Sequence, residues 1–169
     1  LEDLDGRIAG VIDGGPTGLG VESTVVDCSR PVPVVLRPGS ITYGALKEIL
    51  DQVELDPSVS TAETRDQPTA PGMKYKHYSP QVEVILVVGA PEDIAAKIND
   101  LARSSSGQVG VMATEETKDQ YAQLELVKVM GSRDNLREIS ANLFKLLRAF
   151  DHTSAQKILV EAVPETGIG

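Results

Sequence analysis

The sequence has little of several things: one cysteine, no tryptophan, 4% aromatic residues and no long apolar run. A single cysteine, Cys28, excludes an intramolecular disulfide, and its neighbours Asp27 and Ser29 offer no cation that would activate its thiol. We therefore interpret Cys28 as a small strand residue and not as a nucleophile. No stretch approaches the roughly 18 to 20 apolar residues that a membrane span needs. No cationic-then-apolar leader stands at the start, so we expect a cytoplasmic protein that does not bind membranes.

Basic residues are outnumbered by acidic ones, 16 to 25, which leaves a net charge of −9. Broad, sequence-independent binding of nucleic acid needs a basic face, so this charge balance argues against it. A local basic site for an anionic substrate remains open, because such a site needs only a few lysines or arginines. Metal-ligand spacing, a His/Cys pair and clustered carboxylates are also missing, so we assign no catalytic residue and no metal ligand from motifs alone.

Both ends look like the interior of a protein. The chain begins without methionine in an apparent helical turn, and it stops at residues 166–169 in a turn-like sequence. We therefore expect a piece of a longer protein.

Residues 1–52 have the features of a small part of an α/β domain. A short strand is predicted at residues 11–13, before a loop with four glycines at 14–20. The loop suits either a ligand-binding backbone or a plain hairpin connection, since its spacing matches no nucleotide motif. β-Branched residues predict a strand at 21–27 that pairs with a second strand at 33–36, and Ser40 or Thr42 can cap a helix over 45–50.

Residues 53–80 are predicted to be a linker without periodicity that ends in a ten-residue cluster. Residues 71–80 read Pro-Gly-Met-Lys-Tyr-Lys-His-Tyr-Ser-Pro, and they hold two of the four tyrosines and one of the two histidines. The prolines exclude a helix. Two interpretations are open: the tyrosines pack the linker against a domain wall, or the cluster grips an anion and stacks on a base.

Residues 81–169 alternate between strands and helices, which predicts a doubly wound, mostly parallel α/β/α domain. The predicted strands cover residues 82–88, 109–112, 124–129 and 158–162. The predicted helices cover residues 91–103 and 133–150, with a short helix that begins at 114–116. Ligands of such sheets bind beyond the carboxyl ends of the strands, but those ends present no catalytic constellation here. A structural or regulatory domain is the favoured interpretation of this half.

Four segments together resemble one family, the long-form threonylcarbamoyl-AMP synthases, which join a YrdC-like catalytic domain to a Rossmann-like domain. The segments are Asp-Gly-Gly at 13–15, Gly-Val-Glu-Ser-Thr-Val-Val-Asp at 20–27, Leu-Arg-Pro-Gly at 36–39, and the cluster at 71–80. The resemblance implies that residues 1–52 are the carboxy-terminal part of the YrdC-like domain. It also implies that residues 81–169 are the Rossmann-like domain, whose last helix would follow the present end.

The resemblance implies an activity for the full-length protein. Family members condense L-threonine, bicarbonate and ATP, together with Mg²⁺, into threonylcarbamoyl-adenylate and pyrophosphate. The product passes to the tRNA-modifying transferase complex, and contact with RNA is a further possibility. Because the amino-terminal catalytic segment is absent, the resemblance implies that this chain is inactive alone.

The resemblance also assigns residues: Ser23 to threonine, Arg37 to ATP, and one linker tyrosine to ATP, with Tyr75 as the first choice and Tyr78 as the second. Lys74 and His77 could add linker contacts. Separately, a serine hydroxyl can bond both the carboxylate and the amine of an amino acid, and a guanidinium suits phosphate oxygens. The alternative function is a non-catalytic, Rossmann-like ligand-sensing or interaction module.

Overall fold

The chain forms two β-sheets, one in each half. A computed structural model describes residues 4–60 and 80–169. The predicted linker contacts Lys74, Tyr75, His77 and Tyr78 lie outside these ranges. No helix within the two ranges is long and apolar enough to cross a membrane.

The first sheet has three strands and a small apolar core. Its region contains β1 (Val25–Asp27), β2 (Val34–Arg37), α1 (Tyr43–Lys47), β3 (Glu54–Leu55) and α2 (Pro57–Ser60). The central strand β2 pairs antiparallel with β1 and parallel with β3. Val34 and Val35 of β2 and the nearby Val53 are the buried apolar residues of this region. The predicted pairing of the two strands is therefore confirmed.

Three boundaries in the first half differ from the predictions. No regular secondary structure forms at residues 11–13, so the strand predicted there is wrong. The strand predicted from residue 21 begins at Val25, where the register against β2 shifts. The predicted helix lies earlier in the chain because the Thr42 hydroxyl accepts a hydrogen bond from the Ala45 amide and starts α1 at Tyr43.

The second sheet has four parallel strands in the order β4-β7-β5-β6. Its elements are β4 (Glu83–Val87), α3 (Pro91–Ser104), β5 (Val109–Ala113), a 3-10 turn (Lys118–Tyr121), β6 (Leu126–Val129), α4 (Leu136–Phe150) and β7 (Lys157–Glu161). The predicted α/β class with a parallel sheet is confirmed. The short helix predicted from residue 114 is replaced by the 3-10 turn four residues later.

Two apolar clusters cover the two faces of this sheet. Val111 and Leu159 pack in the cluster that contains the buried face of α3. Met112 and Ile158 pack in the cluster that contains the buried face of α4. Because neighbouring residues of a strand point to opposite faces, α3 and α4 lie on opposite sides of the sheet.

Candidate functional site

The structure brings together Ser23 and Arg37, two of the residues that the sequence assigns to substrates. Arg37 ends β2, and Ser23 precedes the adjacent strand β1. The guanidinium of Arg37 donates to the Ser23 carbonyl oxygen from Nε at 3.1 Å and from Nη2 at 2.9 Å. Nη2 also lies 3.2 Å from the Ser23 hydroxyl oxygen. The pair is therefore a fixed unit of one guanidinium, one carbonyl and one hydroxyl.

The backbone around Ser23 is held by the segment that follows Arg37. The Ser40 amide donates to the Glu22 carbonyl at 3.1 Å, and the Ile41 amide donates to the Thr24 hydroxyl at 3.1 Å. Gly39 lies against the same backbone: a Cβ there would be 2.3 Å from the Glu22 carbonyl oxygen. Glycine is required here by the close approach of two backbones, so the Arg-Pro-Gly sequence fixes where Ser23 sits.

This geometry suits a small anionic or zwitterionic ligand. Ser23 is exposed, and Arg37 is partly buried. A hydroxyl that accepts from a guanidinium can still donate its own proton to a carboxylate. The guanidinium keeps its charge and presents several donors in one plane, which matches carboxylate or phosphate oxygens.

The described residues do not bring metal-ligating side chains together. Within residues 4–60 and 80–169, no group of three or more His, Cys, Asp or Glu side chains lies close enough together to hold a metal ion. A guanidinium beside a hydroxyl is not a donor set for Mg²⁺, which prefers carboxylate and water oxygens. The Ser23–Arg37 unit therefore does not fit a protein-bound Mg²⁺.

A second polar constellation, which we call the Glu161 cluster, lies at the carboxyl ends of β5 and β7. The Glu161 side chain is fully buried. Its Oε2 accepts from the Thr114 amide at 3.0 Å and the Thr114 hydroxyl at 2.8 Å. Its Oε1 accepts from the hydroxyls of Thr117 and Tyr121, each at 2.5 Å. The cluster consists of Glu161, Thr114, Thr117, Tyr121 and Arg133.

Arg133 supplies the positive charge of the Glu161 cluster. Its Nη1 lies 3.5 Å from Glu161 Oε2, and its Nη2 donates to the Ala162 carbonyl at 2.7 Å. A buried carboxylate is tolerated only when it is hydrogen-bonded and its charge is compensated, and both conditions hold here. Burial and the hydrogen bond to Glu161 raise the pKa of Tyr121 far above its ordinary value. The cluster ties the ends of β5 and β7 to the 3-10 turn and to Arg133, which follows β6.

Glu116 extends this arrangement toward the surface. It accepts from the Ser132 hydroxyl at 2.6 Å and from the Arg133 amide at 3.1 Å. Partial burial pushes the pKa of Glu116 upward, but these hydrogen bonds outweigh it, and the net shift is downward. The backbone of Arg133 is thereby held in place from outside the cluster.

Sequence reasoning missed the Glu161 cluster because its members come from three separate segments, residues 114–121, Arg133 and Glu161. The available signal was Glu161 itself, a carboxylate at the end of an apolar strand that reads Lys-Ile-Leu-Val-Glu. A charged residue in such a strand needs partners, and the hydroxyl-rich segment at 114–121 was a candidate source.

A family model described as "Threonylcarbamoyl-AMP synthase, C-terminal domain" matches residues 41–169. The chain belongs to this family. The resemblance that the sequence motifs indicated is confirmed at that level.

Curated relatives named threonylcarbamoyl-AMP synthase match almost the whole chain. The Bacillus subtilis protein is 41% identical over 167 residues, which are 99% of this chain and 47% of that protein. The Pyrococcus abyssi protein is 37% identical over 171 residues, again 99% of this chain and 48% of that protein. The chain therefore spans about half the length of the curated relatives it matches.

Solved structures of the P. abyssi protein, called Sua5, agree with the fold. One, described as a complex with L-threonine, has a TM-score of 0.85 at 38% identity and covers 99% of this chain and 48% of that one. A variant with adjacent His and Tyr replaced by alanine has a TM-score of 0.78 at 36% identity and covers 93% of this chain and 44% of that one. The first superposition includes both sheets.

Proposed function

We propose that the longer protein to which this chain corresponds is an L-threonylcarbamoyladenylate synthase, a nucleotidyltransferase. It would condense L-threonine, bicarbonate and ATP into threonylcarbamoyl-adenylate and release pyrophosphate. The observation that carries the proposal is the hydrogen-bonded Ser23–Arg37 unit, which presents an exposed hydroxyl beside a fixed guanidinium. The names of the relatives and the threonine bound to the P. abyssi protein support the same substrate.

In the proposed reaction, the amine of threonine attacks the carbon of bicarbonate and water leaves, which gives a carbamate. A carbamate oxygen then displaces pyrophosphate from the α-phosphorus of ATP. Ser23 holds threonine through its hydroxyl. Arg37 contacts the nucleotide, where its charge offsets the negative charge that develops during adenylyl transfer. The enzyme contributes positioning and charge neutralisation, with no covalent enzyme intermediate. Mg²⁺ is held mainly by the phosphates of ATP.

The linker cluster at 71–80 contributes further contacts with the nucleotide. Tyr75 or Tyr78 closes over the nucleotide, and Lys74 and His77 add positive charge near the phosphates. A solved variant of the P. abyssi protein has an adjacent His-Tyr pair replaced by alanine. In this sequence His is followed by Tyr at one place, His77 and Tyr78.

The domain layout and the partners belong to the same proposal. Residues 1–52 form the end of a YrdC-like catalytic domain, residues 53–80 the linker, and residues 81–169 a Rossmann-like domain. The product supplies the threonylcarbamoyl group for an adenosine beside the tRNA anticodon through a transferase complex. The protein works in the cytoplasm, and contact with RNA would be made by the full-length protein.

The test is pyrophosphate release by the full-length protein in reactions that omit one substrate at a time. We expect release from ATP to require both threonine and bicarbonate, and threonylcarbamoyl-adenylate to be detected by mass. Tyr75→Ala and Tyr78→Ala in the same assay identify the linker residue that contacts the nucleotide, and the isolated chain should be inactive. Pyrophosphate release that is independent of threonine, or no release at all, would contradict the proposal and favour a non-catalytic module.

A further inference from the structure

The segment just before Ser23 rests on the second half of the chain. A Cβ built on Gly20 would lie 2.5 Å from the Ser140 carbonyl oxygen and 2.8 Å from the Ala141 carbonyl oxygen, both in α4. Real side chains do not approach backbone atoms so closely, so a glycine is needed at this contact. The φ of Gly20 is not in the left-handed region, which means that proximity and not backbone conformation selects the glycine.

Val21 continues the contact into an apolar groove of about 250 Å³. The groove is lined by Leu86, Val88 and Val160 from the sheet side and by Ile139 and Leu143 of α4. Leu86 and Val88 remain 60% and 68% exposed, so the groove is open on one side. Val21 therefore lines a groove that is otherwise built from the second half of the chain.

Ser23 is thus held from two directions. On one side, Arg37 and the segment at 39–41 hold the backbone of residues 22–24. On the other side, Gly20, which is two residues upstream of Glu22, contacts α4. The superposition on threonine-bound P. abyssi Sua5 covers 99% of this chain with a TM-score of 0.85, which supports the same arrangement of the two halves.

We propose that α4 and its groove act as a seat for Gly20 and Val21, and that this seat sets the position of Ser23 relative to threonine. Gly20 and Val21 are positioning residues, because they act through Ser23 and do not touch the substrate. The second half of the chain then contributes to threonine binding indirectly, through the position of Ser23. This inference rests on the proposed function of Ser23.

The experiment measures the KM for threonine and the KM for ATP of the full-length protein. Gly20→Ala would push the segment off α4 and should raise the KM for threonine about tenfold or more, since small displacements of binding groups are costly. The KM for ATP should change less than about twofold. Gly18→Ala is the matched control, because a Cβ at Gly18 meets nothing within 4 Å and its φ is ordinary.

Val21→Ala guards against a variant that fails to fold, because it removes contact without adding a clash. It should raise the KM for threonine by a smaller factor at an unchanged Tm, whereas Val11→Ala, at an exposed valine, should change neither. Equal effects on threonine and ATP, or an unchanged KM for threonine in both variants, would overturn the inference. Ser23→Ala distinguishes a failure of this inference from a failure of the proposed role of Ser23. If it raises the KM for threonine but Gly20→Ala and Val21→Ala do not, only the seat is wrong; if Ser23→Ala has no effect, the role of Ser23 is wrong and the seat fails with it.

Discussion

At the scale of single residues, the close approach of Gly39 to residues 22–24 matters most for the candidate site. The family resemblance assigns both Ser23 and Arg37 to substrates, whereas the residue types alone leave a structural role for each open. The hydrogen bonds from Arg37 to the Ser23 carbonyl could not be predicted, because they depend on how two strands end. The same bonds explain why β1 starts at Val25 and not at residue 21: the Ser23 carbonyl is bonded to a side chain.

Gly39→Ala should destabilise the first sheet. Its Cβ would lie 2.3 Å from Glu22 O, 2.5 Å from Thr24 N and 2.6 Å from the Ser23 carbonyl carbon, all of which are backbone atoms that cannot rotate away. Overpacking of this kind costs about 1 to 3 kcal/mol in the free energy of unfolding. The measurement is the denaturant midpoint of the full-length protein.

Gly44→Ala is the control for Gly39→Ala, because we do not expect it to lower the stability. Gly44 lies in α1, and the atom nearest to an added Cβ is the Thr42 hydroxyl oxygen at 3.9 Å. A glycine replaced by alanine in a helix should keep or slightly raise the stability. A Gly39→Ala protein as stable as the wild type would show that residues 22–24 are not held by Gly39.

At the scale of elements, the Glu161 cluster joins β5, β7 and the 3-10 turn through one buried carboxylate. The periodicity of apolar residues located the four strands, α3 and α4 of this half, since that signal is local, but the short helix predicted from residue 114 does not form. The strand order β4-β7-β5-β6 and the cluster were not predictable in the same way, because both depend on contacts between distant segments. In β4, which lies at the edge of the sheet, Val84 and Leu86 are 39% and 60% exposed.

The cluster predicts an unusual titration of Tyr121. Its pKa is raised above the ordinary value of about 10, so the phenol stays neutral in the folded protein at a pH where free tyrosines ionise. The stability that this adds is fully present below about pH 10 and is lost as the pH rises above it toward the folded pKa.

Absorbance at 295 nm during an alkaline titration measures the ionisation of tyrosines. We expect Tyr121 to ionise only when the protein unfolds. Tyr121→Phe should remove that late step and cost about 1 to 3 kcal/mol of stability, because a hydrogen bond to the buried Glu161 carboxylate is lost. If all tyrosines ionise together near pH 10 in the folded protein, Tyr121 does not donate to Glu161.

At the scale of the whole molecule, the order of the motifs identified the family from the sequence, and the fold class followed from the alternation of elements. The contact between Gly20 and α4 could not be predicted, because it joins segments 120 residues apart and leaves no local pattern. The first half of the chain brings Ser23 and Arg37 together, and its Gly20 contacts α4 of the second half. The contact of Tyr75 or Tyr78 with the nucleotide stays a prediction.

The most direct test of the central claim is the kcat/KM of Arg37→Ala in the full-length protein. If Arg37 contacts the charge that develops on the nucleotide, the variant should lose about 2 to 4 kcal/mol of transition-state stabilisation, or about 30- to 1,000-fold in kcat/KM. Arg30→Ala is the matched control, because Arg30 lies in the same hairpin and pairs with Asp27 at 3.0 Å; its kcat/KM should stay within about twofold of the wild type. A folded Arg37→Ala protein with wild-type kcat/KM would contradict the claim that the Ser23–Arg37 unit is part of the active site.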